Sequence, residues 1–151
     1  MSNYAMHEVV GSVSYNGTTP AALPLAPFAN VPEFTNMDEN PVTLLAVPTP
    51  GWYRLTFDVQ IVLSSALQNK FSTIIPKVGQ NTWVEASRAY GVVVHGETNC
   101  YRFTMNTLIS IADTENENIS LLWSTEAGTA KSGTVSGLLT LELVEEVLPE
   151  A

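Results

Sequence analysis

The sequence predicts an all-β fold, a sandwich or barrel of antiparallel strands. Three observations predict it. Apolar and polar residues alternate with a period of two through the long segments Trp52 to Leu63, Tyr101 to Ile111, Asn118 to Ser124 and Val135 to Leu143, as they do where one face of a strand is buried and the other solvated. These and several shorter segments follow one another at short, regular spacing, about eight or nine strands in all. Thr, Val, Ile and aromatic residues dominate them, which suits a pleated, half-buried surface, and no segment reads as a helix.

Taken in order, Glu8 to Tyr15 is the first strand candidate. Thr18 to Pro32 carries four prolines and reads as an extended arm or covering loop. Val42 to Val47 is a short strand candidate. Pro48, Pro50 and Gly51 then punctuate the chain before the clearest strand. There Tyr53, Leu55, Phe57, Val59, Ile61 and Leu63 face inward, while Arg54, Thr56, Asp58 and Gln60 face out. Phe71 to Pro76, Thr82 to Glu85 and Gly91 to Val94 are further short strands. In the next long strand Tyr101, Phe103, Met105, Ile109 and Ile111 share one face, and Arg102, Thr104, Asn106 and Ser110 the other. Ile119, Leu121 and Trp123 point inward from the strand after it. Past a Gly/Ser/Thr-rich loop, Val135, Leu139, Leu141 and Leu143 alternate with Thr134, Ser136, Thr140 and Glu142. The acidic tail ending in Leu148-Pro149-Glu150-Ala151 is expected to fray.

At 151 residues, 45% apolar and 14% charged, the chain can bury one core without metals or disulfides and lacks the composition of a disordered protein. No repeat or composition break marks a second folded unit. Residues 1–40 are read as an N-terminal strand and extended arm, 41–145 as the sandwich and 146–151 as the acidic tail. No apolar run approaches the ~18 residues of a membrane helix. The start, MSNYAMHEVV, has no basic segment leading into an apolar one, so no secretion signal is expected.

Six Lys/Arg oppose fifteen Asp/Glu, a net charge of −9. Arg54, Lys70, Lys77, Arg88, Arg102 and Lys131 are scattered, so neither nucleic acid nor an anionic membrane surface is an expected partner. The acidity is read as a source of solubility. Cys100, the only cysteine, stands at the head of an apolar strand, which reads as a buried, inert thiol.

The alternation has exceptions. Trp52, Val62, Leu108, Leu122, Leu138 and Val144 are apolar on the nominal outer face. Six such residues on the strands of one small domain imply that part of that face is covered, by a partner subunit or by the proline-rich arm. The six are the candidate subunit-interface residues.

No catalytic constellation emerges. His7 and His95 are the only histidines, too few and too distant for a zinc site, and His95 reads as an exposed loop residue. There is no Gly-x-Ser-x-Gly elbow and no phosphate-binding glycine loop. Asp113, Glu115 and Glu117 alternate between two strands, a spacing that can aim oxygens at a hard cation such as calcium. A polar turn explains the same residues without an ion. No cofactor, metal or catalytic residue is assigned.

The run Leu45-Ala46-Val47-Pro48-Thr49-Pro50-Gly51-Trp52-Tyr53-Arg54-Leu55-Thr56-Phe57-Asp58-Val59 resembles the jelly rolls of the tumour-necrosis-factor and complement-globular-head superfamily, in which a Pro-Gly-x-Tyr turn precedes a long alternating strand. The later order is similar too. An alternating strand, a polar turn and a further strand lead to a final one entered through Ser132-Gly133-Thr134-Val135-Ser136-Gly137-Leu138-Leu139. The resemblance covers roughly residues 40–145. It implies an antiparallel jelly-roll sandwich that assembles as a homotrimer, burying apolar residues of the sheet facing the threefold axis. Without an expected secretion signal or stalk, the resemblance points to a virion protein made in the host cytoplasm. In that role it would be a bacteriophage capsid-decoration or cement protein bound to the major capsid protein, with residues 1–40 gripping the shell. The alternative is a fibre or spike head that binds a host receptor or glycan through loops such as Gly79 to Tyr90 or Glu126 to Ser132, with Trp83 or Tyr90 contributing. A metal-dependent jelly-roll enzyme is disfavoured by the two distant histidines.

Overall fold

The computed structural model describes residues 4–27, 43–64, 72–79, 82–83, 88–94, 99–125 and 130–146. Among them are eleven strands and no helix. They are β1 (Tyr4–Tyr15), β2 (Ala21–Ala22), β3 (Leu25–Pro27), β4 (Gly51–Leu63), β5 (Ser72–Val78), β6 (Thr82–Trp83), β7 (Ala89–Tyr90), β8 (Val92–Val93), β9 (Cys100–Ile111), β10 (Ile119–Thr125) and β11 (Lys131–Glu146). They form two antiparallel sheets, a six-stranded one ordered β3-β1-β11-β4-β9-β8 and a five-stranded one ordered β2-β10-β5-β6 with β7 also paired to β5. This is the expected jelly-roll sandwich.

The long strands fall within a few residues of their expected bounds. In β4 burial alternates without a break, and Tyr53, Leu55, Phe57, Val59, Ile61 and Leu63 all enter the core. They meet Trp123, Phe103, Leu121 and Ile74 from the other strands. Tyr15 packs edge-on against Trp123, with ring centroids 6.2 Å apart, one of the favoured aromatic geometries. The Trp123 indole N–H donates to Ser72 Oγ at 2.7 Å, so a polar atom deep in the sandwich is satisfied. The Pro-Gly-x-Tyr turn closes on itself, because the Tyr53 hydroxyl donates to the Thr49 carbonyl at 2.6 Å.

One strand expectation is corrected. Of the expected strand Val42 to Val47, the described residues 43–47 contribute only an isolated bridge, Leu45 to Ile119, with reciprocal backbone bonds of 2.8 and 2.9 Å. The reason is competition for one edge. Along β10, the Leu23 amide bonds the Leu121 carbonyl and β2 takes Leu122 and Trp123, so no ladder is left for residues 43–44, while the antiparallel register sets residues 46–47 opposite Asn118 and Glu117, ahead of the start of β10. Leu45 and Val47 are nonetheless buried.

The first described strand is built into the sandwich. β1 lies between β3 and β11 and pairs with β11 over twelve residues, from Tyr4 opposite Glu142 to Tyr15 opposite Lys131. Asn16 ends it: its side-chain oxygen accepts from the Thr18 and Thr19 amides at 2.9 and 2.8 Å, a turn that this residue type favours. The next residues cross from one sheet to the other, since β2 joins the five-stranded sheet and β3 the six-stranded one. The described part of the proline-rich stretch is thus a covering segment, with Leu23 and Leu25 buried in the core. The rest of that stretch, the boundary at residue 40, the loop residues 80–81, 84–87 and 126–129, the Trp83 side chain, His95 and the tail beyond Glu146 lie outside the described residues.

Candidate assembly surface

The two sheets differ on their outer sides. On β5 and β10 the outward residues are Thr73, Ile75, Lys77, Ser120, Leu122 and Ser124, as the register shows. Thr73, Ile75 and Ser120 are buried, and the other three are half-buried. The chain itself therefore encloses both faces of this sheet. The six-stranded sheet is bare on its outer side. Val10, Trp52, Val62, Leu108, Leu138 and Val144 project from it, each 42–49% exposed.

Five of the six candidate interface residues, Trp52, Val62, Leu108, Leu138 and Val144, therefore share one sheet. Leu122 does not join them. It belongs to β10 and is half-buried on the enclosed side of the opposite sheet. Sequence reasoning missed Val10, which the same alternation in β1 would have revealed, because Val9 is buried and Val10 is not. It also assigned no exposure to Val92 and Val93 of the edge strand β8, both exposed.

Register places these residues in rows across the bare face. Arg54 lies between Glu142 on β11 and Leu108 on β9. Trp52 lies between Glu145 and Ser110. Val144 is at a bulge, where the β11–β4 pairing shifts between Leu143 and Glu145. The middle rows are mostly polar: Thr140, Thr56 and Asn106, then Leu138, Asp58 and Thr104, then Ser136, Gln60 and Arg102. Across two of these rows Arg102 grips Asp58 with both ends of its guanidinium, Nε to Oδ1 at 2.9 Å and Nη2 to Oδ2 at 2.6 Å. Those hydrogen bonds hold the Asp58 carboxyl below its ordinary value against a smaller opposing effect of burial. Beside Arg102, an open groove of about 560 Å³ is lined by Gln60, Val92, Val93, Val94 and Thr104.

The remaining chemical candidates resolve into structural roles. Glu117 Oε1 accepts from the Ala112 and Asp113 amides at 2.9 and 2.7 Å. Asp113 accepts from the Glu115 amide at 3.1 Å and the Asn116 side chain at 2.7 Å. These bonds hold the Asp113 carboxyl below its ordinary range. Both carboxylates thus shape the turn between β9 and β10, and among the described residues no group of three or more His, Cys, Asp or Glu is placed to hold a metal. Cys100 is buried, as expected, with its sulfur 3.8 Å from Gln60 Oε1. His7, which the sequence left without a role, is fully buried between β3 and β11, and burial pulls its pKa below the ordinary value.

No protein-family model and no curated protein sequence matches the chain. Solved structures do. Murine APRIL superposes with a TM-score of 0.57 at 10% identity, covering 93% of this chain and 99% of that one. Eiger TNF from S. frugiperda superposes with a TM-score of 0.53 at 9% identity, covering 99% and 98%. At such identities the likeness is one of fold, and the fold is that of the tumour-necrosis-factor-like jelly rolls.

Proposed function

We propose that the protein is a non-enzymatic structural unit that assembles as a homotrimer through the outer face of its six-stranded sheet. One observation carries this reading. Among the described residues, eight of the nine large apolar residues left exposed belong to that sheet, Tyr90 being the exception. A bare, partly apolar face opposite an enclosed one is the asymmetry a closed symmetric oligomer produces. The trimer implied by the family resemblance uses a sheet face of this kind. Multi-angle light scattering should give three times the 16.4 kDa chain mass at micromolar concentration. A protomer mass would overturn the reading.

Within that reading, the finer role we propose is decoration of a viral shell, with the trimer bound to the major capsid protein. What supports it is the jelly-roll fold together with the trimer that the resemblance implies. The second reading, a fibre or spike head, is favoured by the exposed Tyr90 at the end of one candidate loop. Immunogold microscopy of particles purified from the producing cells separates the two. Labelled shells support decoration, labelled fibres support the head, and unlabelled particles overturn both. Deleting residues 1–30 does not test the arm alone, because it removes β1 from the six-stranded sheet.

A further inference from the structure

We propose that self-association is centred on one end of the bare face, the cluster of Trp52, Arg54 and Leu108, and that Arg54 pairs with a β11 carboxylate, Glu142, of the neighbouring copy. This rests on the trimer reading and adds the contact that holds the copies together. The register separates the apolar residues of the face. Trp52, Leu108 and Val144 occupy the end where β4 begins, Val10 and Val62 lie toward the other, and mostly polar rows intervene, with Leu138 and the half-buried Met6 as their apolar members. The first end has the composition of an interface hot spot, where Trp and Arg are enriched and apolar neighbours exclude water.

The two guanidinium groups of the face are in different states. Arg102 is engaged by Asp58 at both ends. Arg54 stands 4.0 Å from Glu142, with its side chain 47% exposed, so it retains capacity for a second carboxylate. Around it β11 supplies Glu142 and, opposite Trp52, Glu145, both exposed. The patch therefore carries both signs within one apolar cluster. That suits a second copy of the same chain, because a rotated copy presents its carboxylates to this guanidinium. A chain of net charge −9 otherwise repels its own copies, so the cation on the patch sets where they can approach.

The test is the association of the full chain by light scattering and sedimentation equilibrium, with thermal melting of each variant. Wild type should be trimeric. Trp52→Ala and Arg54→Glu should each raise the dissociation constant at least tenfold, with the melting temperature unchanged at concentrations where every variant is dissociated. Combining Arg54→Glu with Glu142→Arg should restore assembly, and Val62→Ser, at the other end, should leave it unchanged. A monomeric wild type would overturn both this inference and the trimer reading. A trimeric wild type that tolerates Trp52→Ala and Arg54→Glu, or that is split by Val62→Ser instead, would overturn this inference alone.

Discussion

The indole N–H of Trp123 on β10 is bonded across the ladder to Ser72 Oγ on β5 at 2.7 Å, and Trp123 is fully buried. The pair joins two strands of the enclosed sheet and supplies the hydrogen bond that lets a tryptophan fill the core. Ser72→Ala should leave the donor buried without an acceptor and cost about 1–3 kcal/mol. Urea unfolding followed by tryptophan fluorescence checks this; an unchanged midpoint would show that another acceptor replaces the serine.

Tyr53 fastens the turn that opens β4. Removing its hydroxyl with Tyr53→Phe keeps the buried ring and loses the bond to the Thr49 carbonyl. A loss of about 1 kcal/mol is expected, with the oligomeric mass unchanged, measurable by chemical denaturation.

Gly137 lies in β11 at φ +153°, where a Cβ would collide with the Asp58 carbonyl oxygen and press on Val59. Gly137→Val should therefore strain the central β11–β4 pair and cost about 2 kcal/mol or more. Gly17, also at positive φ, lies in the turn after β1, so Gly17→Asn should be tolerated far better. Melting temperatures of the two variants decide between these expectations.

His7 should make the fold sensitive to mild acid. Its folded-state pKa lies below the ordinary 6.5 because burial disfavours the charged imidazolium. The unfolded chain then binds the proton more readily, so this contribution to stability is complete above 6.5 and falls as pH drops from 6.5 toward the lowered folded value. Unfolding measured at pH 7.5 and 5.5 should show a loss in wild type that His7→Leu reduces. The same loss in both proteins would assign it to other groups.

Leu138 and Leu122, alike in sequence context, should respond differently. Leu138→Ser changes the bare face and should weaken self-association with little effect on melting. Leu122→Ser changes the enclosed sheet and should cost about 1 kcal/mol of stability without changing the mass. Light scattering and calorimetry on the two variants read this contrast directly.

The six-stranded sheet was the more legible half of the molecule. β4, β9 and β11 face solvent on one side, so burial writes a period of two into their sequences. β5 and β10 are covered on both sides, which blurs that period: Ser120 and Thr73 are buried beside Leu121 and Ile74. β7 and β8 are two residues each, too short for a pattern. The interface candidates were legible as exceptions to alternation, but alternation does not reveal which sheet a strand joins. That depends on non-local pairing, and it is why Leu122 was grouped with five residues on the other side of the sandwich. His7 gave no signal, since one histidine in an alternating strand reads alike whether it faces the core or water.

Among the described residues β1 and β11 are the first and last strands of the sandwich, and they are each other's neighbours. A ribosome delivers one of them more than a hundred residues before the other, so the central ladder cannot zip during most of synthesis. Until β11 emerges, Val9, Val59 and Phe57 lack the strand that shields them. Such long-range closure slows folding and leaves sticky intermediates, so yield in a producing cell should depend on chaperones and on growth temperature.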